Sequence, residues 1–161
     1  MEAIVGARER SAQVEELYRA DGERLWRAVF AFAGDPDVAN DAVAEAFAQL
    51  LRRGDGVRDP KRWVWRTAFK VAGGDLAARR GGPVPLEHDA WFYEMDAPAR
   101  DLVEALRYLS PHQRSSVVLH HAAGYSTREV ARIVGSTQAA VKVHLMRGRR
   151  RLRELLEEDE R

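Results

Sequence analysis

The sequence predicts an all-α protein built as two small helical domains, and three observations carry that prediction. Apolar residues recur at spacings of three, four and seven through most of the chain, the mark of helices with one buried face. Glycines, prolines and capping residues punctuate those segments at helix-length intervals. No run of period-two alternation and no internal repeat stands out, so nothing in the 161 residues asks for a sheet. A chain of this length holds one ordinary core or two small ones, and 45% hydrophobic with 32% charged residues is a soluble globular composition.

From Ser11 onward, Val14, Leu17, Tyr18, Leu25, Val29 and Phe32 form the first stripe, which Gly34 ends. Asp35-Pro36 is an N-cap followed by proline at the first helical position, and it opens a second helix with Val38, Ala42, Val43, Ala46, Phe47, Leu50 and Leu51 on one face. Gly54 and Gly56 stop that helix, and Asp59-Pro60 repeats the cap-and-proline start of a third over 61–80. Gly73-Gly74 marks a bend there, since each glycine costs about 1 kcal/mol relative to alanine. Residues 81–101 change character. Gly81-Gly82-Pro83-Val84-Pro85 leads into an acidic segment containing Trp91-Phe92-Tyr93, with Arg100 as its one basic residue against five acidic ones. It reads as a flexible linker whose aromatic cluster docks on a domain or on a partner, which leaves domains at 1–80 and 102–161.

In the second domain Leu102, Ala105, Leu106 and Leu109 give a short stripe, and Ser110-Pro111 caps a helix that ends at Gly124. Ser126 and Glu129 stand at the spacing of a capping box ahead of Val130, Ile133 and Val134, with Gly135 as the stop and Ser136 as the cap of the last helix. Residues 126–152 therefore have the layout of a helix-turn-helix. The overall charge of +1 conceals a local concentration, because 128–153 holds eight basic residues and only Glu129. At about 100° per residue, Val141, Leu145, Gly148 and Leu152 share one face of the last helix. The opposite face is Ala139, Lys142, Val143, Met146, Arg147 and Arg150, with His144 and Arg151 on the flanks. On a DNA-binding helix those side chains are placed to enter a major groove, lysine and arginine donating to guanine and Val143 and Met146 packing on a thymine methyl, while an amphipathic helix that merely closes a small bundle is the other reading of the same pattern.

These residues carry a family resemblance. Leu109-Ser110-Pro111 and Arg114 are followed by Gly124-Tyr125-Ser126-Thr127-Arg128-Glu129-Val130-Ala131 and by Val141-Lys142-Val143-His144-Leu145-Met146-Arg147-Gly148-Arg149. In the first half stand Leu17-Tyr18, Leu25-Trp26, Gly34-Asp35, the run Ala39-Asn40-Asp41-Ala42-Val43-Ala44-Glu45-Ala46-Phe47, and Trp63-Val64 with Ala68 and Asp75. Together they resemble the extracytoplasmic-function sigma factors of bacterial RNA polymerase, with 1–80 similar to sigma region 2, a three-helix bundle, and 102–161 similar to sigma region 4. The resemblance implies that the second helix binds the clamp coiled coil of the largest polymerase subunit through the outward row Asp41, Glu45, Gln49 and Arg52. A solvated helix surface predicts the same row. It implies that the third helix and the 54–59 loop melt and hold the minus-ten element, with a flipped base near Trp63. The residues for that role are Arg58, Arg62, Trp63, Arg66, Lys70, Arg79 and Arg80, of which Arg62, Arg66 and Lys70 stand four apart on one face. Ser136, Ala139, Lys142, Val143, His144, Met146, Arg147 and Arg150 then read the minus-thirty-five element. The polymerase flap and an anti-sigma factor are further partners that the resemblance implies. Departures are Asn40 and Ala44 on the clamp helix, Lys70 in place of an asparagine, a short 54–59 loop, Ser110 at the corner, and Val143-His144 in place of a frequent Ser-Arg pair.

Other functions find little footing. The absence of cysteine excludes a disulfide framework, a thiolate zinc site and a cysteine nucleophile. His112, His120, His121 and His144 lack metal-ligand spacing, and no phosphate-loop, dinucleotide or nucleophile-elbow motif occurs, so neither enzyme activity, metal nor cofactor is expected. No apolar run approaches the roughly 18 residues of a membrane span and the N-terminus lacks the apolar core of a signal peptide, which points to the cytoplasm, on the nucleoid when in holoenzyme. Two rival readings stay open. One is a helix-turn-helix regulator acting outside holoenzyme, the other a sigma-like adaptor that binds polymerase or an anti-sigma protein without reading promoters.

Overall fold

The structure, a computed structural model, describes residues 1–78 and 94–159, and those residues form helices and short turns. Helix α1 spans Glu2–Ala33. It starts well before the apolar stripe because a helix can extend without a buried face, and no residue ahead of Asp21 is buried. Gly34 closes α1 in the left-handed region at φ 66°, its N–H donating to the Phe30 carbonyl at 2.7 Å. Asp35 then accepts from the Asp37 and Val38 N–H groups and Pro36 opens α2, Pro36–Arg53. After a 3-10 turn over Gly54–Gly56, Asp59 accepts from Arg62 N–H at 3.1 Å and Pro60 starts α3, Pro60–Ala78. The helix runs uninterrupted through Gly73-Gly74, where a bend was expected. Gly74 is exposed and nothing crowds either glycine, so the helical hydrogen bonds outweigh their entropic cost.

Helices α1, α2 and α3 pack around Leu25, Val29, Trp65 and a set of fully buried alanines, Ala39, Ala42, Ala46, Ala68 and Ala72. Alanine at those contacts lets helix axes approach closely, which is why the bundle stays compact despite its aromatic content.

Helix α4 is Ala97–Leu106, beginning inside the stretch assigned to the linker. The cause is local: Asp96 accepts from Ala99 N–H at 3.1 Å, and Pro98 sits in the first turn, where its missing N–H costs nothing. Arg79, Arg80 and the Trp91-Phe92-Tyr93 cluster lie outside the described residues. Helix α5, Pro111–Val117, opens with a full capping box between Ser110 and Gln113. It does not reach Gly124 as an α-helix. It widens into a π-helical turn, Val118–Ala122, from which the Tyr125 N–H reaches back to the Leu119 carbonyl at 3.0 Å. Helices α6, Thr127–Val134, and α7, Gln138–Asp159, complete the second bundle. Val141, Leu145 and Leu152 of α7 are buried, and at Gly148 an added Cβ would stand 2.9 Å from Val117 Cγ2.

The two bundles pack on each other. Helix α1 meets α4, α5 and the π-turn, and α3 meets α6, so one apolar cluster runs from Leu25 to Leu152.

Candidate functional site

The helix-turn-helix is built by two caps and one glycine. Ser126 and Glu129 form a reciprocal capping box, with Glu129 N–H donating to Ser126 Oγ at 3.2 Å and Ser126 N–H to Glu129 Oε2 at 2.8 Å. That bond from the Ser126 backbone is the foremost reason why the Glu129 carboxyl sits below its ordinary pKa. Gly135 adopts φ 68°, and the Ser136 N–H closes the turn onto the Ala131 carbonyl at 2.8 Å. The cap of α7 is Thr137, whose hydroxyl accepts from Ala140 N–H at 3.1 Å, and not Ser136. Ser136 stands one residue too early for that bond. Gln138 Nε2 also donates to Thr127 Oγ1 at 2.9 Å and ties the start of α7 to the start of α6.

That frame leaves Ser136, Ala139, Lys142, Val143, Met146, Arg147 and Arg150 exposed on one side of α7, while Val141, Leu145 and Leu152 are buried on the other. Met146 is 59% exposed, a large apolar side chain in water beside three cations. His144 is different, half-buried with its ring stacked on His112 at 5.3 Å and 17°. Burial, then His112 and Arg147, lower its pKa.

On α2 the row Asp41, Glu45, Gln49 and Arg52 faces outward, and three of its members are joined. Glu45 Oε1 accepts from Gln49 Nε2 at 2.7 Å and from Arg52 at 3.0 Å, and the bond from Gln49 is the main cause of a lowered Glu45 pKa. Asn40, one of the departures, accepts from the Trp26 indole N–H at 2.7 Å. On α3, Arg66 and Lys70 are exposed on one face and make no ion pair among the described residues, while Arg62 pairs with Asp59 at 3.6 Å. Arg58 is exposed and Trp63 is half-buried against the core. Beside the 54–59 loop lies a cleft of about 570 Å³ walled by Val14, Leu17, Leu50, Leu51 and Val57. Trp63 does not line it. The Arg10–Asp55 ion pair, 3.1 Å, crosses its rim.

Residues 99–152 match the family model for sigma-70 region 4. Over 153 residues, 90% of this chain, the sequence is 32% identical to the RNA polymerase sigma-E factor of Streptomyces antibioticus and covers 85% of it. The chain belongs to the sigma factors of bacterial RNA polymerase, in their extracytoplasmic-function group. Its fold agrees: TM-scores are 0.75 to CnrH, solved with the cytosolic domain of CnrY, and 0.70 to the sigma factor RpoE of Bartonella quintana, solved with the anti-sigma factor NepR. Those structures share 24% and 21% identity and cover 98% and 92% of this chain, and 96% and 97% of theirs is matched in turn. The protein is thus a transcription initiation factor, and a relationship spanning both halves sets it apart from regulators that share only the helix-turn-helix.

In this sigma factor one constellation escapes the sequence reading. Asp21 is buried on the apolar stripe of α1, four residues from Leu17 and from Leu25. Its carboxylate accepts from the Trp65 indole N–H and pairs with Arg24 at 3.4 Å and Lys61 at 3.7 Å. The Arg24 guanidinium lies 5.3 Å from the Trp65 ring centre and 5.6 Å from that of Tyr125, and the two rings meet edge-on at 5.0 Å. Burial pushes the Tyr125 phenol up to about 12. From the second bundle Arg114 donates to the Phe32 carbonyl at the end of α1, 2.8 Å, and to the Leu109 carbonyl, 3.2 Å. A carboxylate at a stripe position of α1 is the one sequence signal that could have found this cluster.

Proposed function

We propose that this sigma factor directs core RNA polymerase to promoters through three separate surfaces. Asp41, Glu45, Gln49 and Arg52 of α2 take the clamp coiled coil. Arg58, Arg62, Arg66 and Lys70 follow the minus-ten strand, with a base held in the cleft beside the 54–59 loop, whose apolar walls suit an unstacked ring. Ala139, Lys142, Val143, Met146, Arg147 and Arg150 read the minus-thirty-five element, flanked by Ser136 and His144. The observation that carries this reading is the two-sidedness of α7, an uninterrupted basic and apolar face in water behind which every core-facing position is filled. An apolar groove of about 480 Å³ between Leu102, Leu106, Val118 and Leu152 supports the flap as a second polymerase contact. An anti-sigma protein is its regulator in this reading, and it works in the cytoplasm, on the nucleoid when in holoenzyme. Among the described residues no helix is long and apolar enough to cross a membrane.

The test is competition with a housekeeping sigma factor for core polymerase at physiological salt, followed by promoter discrimination. Mutually exclusive, stoichiometric binding is expected. Lys142→Ala and Arg147→Ala should each lose about 1–3 kcal/mol of discrimination at the minus-thirty-five element while polymerase binding stays intact. Binding that leaves the housekeeping factor in place, with unaltered discrimination in both variants, would replace this reading with the adaptor.

A further inference from the structure

The end of α1, the middle of α3 and the start of α5 border a cleft of about 430 Å³, distinct from the one beside the 54–59 loop. Small-molecule sites occupy roughly 300–1,000 Å³, so its size is that of a ligand pocket. Phe32 and Phe69 line it with ring centres 5.2 Å apart and planes tilted by 38°, which gives it an aromatic wall. Arg66, Lys70 and His112 line it too, and among the described residues no carboxylate does. Arg66 and Lys70 are exposed and make no ion pair among the described residues. A further cation, Arg114, holds its guanidinium 5.7 Å from the Phe32 ring centre and is bonded to backbone carbonyls. Cations gathered around apolar walls attract an anion into the space between them.

A glycine in the wall is the second observation. Gly73 lies inside α3, where glycine costs about 1 kcal/mol relative to alanine, and a Cβ built on it meets no atom within 4 Å. Crowding within the chain therefore gives no reason for glycine there. The residue does line the cleft, and a missing side chain keeps that space open and lets a ligand approach the helix backbone. Gly74 is equally uncrowded and does not line it.

We propose that this cleft is a binding site for a nucleoside diphosphate, its base against Phe32 and Phe69 and its phosphates held by Arg66 and Lys70. Residues four apart on a helix are separated by a rise of about 6 Å, so two linked phosphates engage both cations where a single one would serve only one. Arginine takes a phosphate bidentately and lysine takes it as a point charge. His112 adds an imidazole from the second bundle. A bare anion leaves the aromatic wall uncovered, and a neutral base leaves the cations unpaired, so the site selects a molecule that carries both. The inference goes beyond the promoter reading and does not depend on it.

Titration calorimetry on the full chain tests it, with ADP as the probe. One ADP per chain is expected, with adenosine alone and pyrophosphate alone each binding at least tenfold more weakly. Arg66→Gln and Lys70→Gln should each cost about tenfold to a hundredfold in ADP affinity. Gly73→Leu should remove binding by filling the cleft while thermal stability stays at or above the parent's, because leucine is the better helix former. Gly74→Leu should bind ADP as the parent does. A single-stranded minus-ten oligonucleotide, which tests the promoter reading separately, should bind the parent and Gly73→Leu alike. No heat from ADP at millimolar concentration, or pyrophosphate binding as tightly as ADP, would overturn the inference. So would unchanged ADP binding in Gly73→Leu, or a loss of oligonucleotide binding in that variant, which would assign the cleft to the path of the DNA strand.

Discussion

At Gly148 a single hydrogen atom decides the spacing of two helices. A Cβ there would sit 2.9 Å from Val117 Cγ2 and 3.4 Å from Leu109 Cδ2. Val117 is branched and buried, with no free rotamer to retreat into. Gly148→Ala should therefore destabilise the protein by about 1–3 kcal/mol, the usual cost of overpacking, even though alanine is the better helix former, and urea unfolding measures it. His144 gives a residue-level prediction in pH. Its pKa is lowered in the folded state by burial, His112 and Arg147, so the unfolded chain binds more protons there as the pH falls. Its contribution turns unfavourable once the pH drops below the ordinary histidine range, around 6.5. Between pH 7.5 and 5.5 the parent should lose more thermal stability than His144→Gln. An equal loss in both would show that the His112–His144 stack carries no such linkage.

Helices here are set by their ends more than by their middles, and that governs what a reader of the sequence can see. The capping residues at 35, 59 and 110 are each followed at once by a proline, the one at 126 by a box partner three residues on, and each starts its helix where expected. Ser126→Ala should cost about 1 kcal/mol in denaturant unfolding, because it orphans the Glu129 N–H and breaks a two-way box. The Gly73-Gly74 pair works in the other direction. Position 74 is helical, exposed and uncrowded, so Gly74→Ala should stabilise the fold by about 0.5–1 kcal/mol. The outward face of α7 is legible in the sequence because a 3.6-residue period separates Val141 and Leu145 from Lys142 and Arg147 without any tertiary information. The exposed start of α1 is not, since a helix that buries nothing leaves no pattern. The π-turn is also invisible, as no residue type in Val118–Ala122 demands it. Asp21, Arg24, Arg114 and Tyr125 lie more than a hundred positions apart at their extremes, and only packing brings them together.

For the molecule as a whole, what matters is that two bundles share one apolar cluster. Two independent cores would melt in two steps, whereas a shared one couples them. The free protein should unfold in a single calorimetric transition whose van't Hoff and calorimetric enthalpies agree, and Tyr125→Ala should split or broaden it. The shared core also fixes which surfaces are at liberty. Ala139, Lys142, Val143, Met146, Arg147 and Arg150 take no part in it, nor does anything in the core lean on them. With α7 reading DNA as proposed, that separation makes its outer side a writable address: a library randomised at those six positions would yield a population of proteins alike in stability and differing in the DNA they prefer, so that a transcription programme could be retargeted without redesigning the protein that runs it.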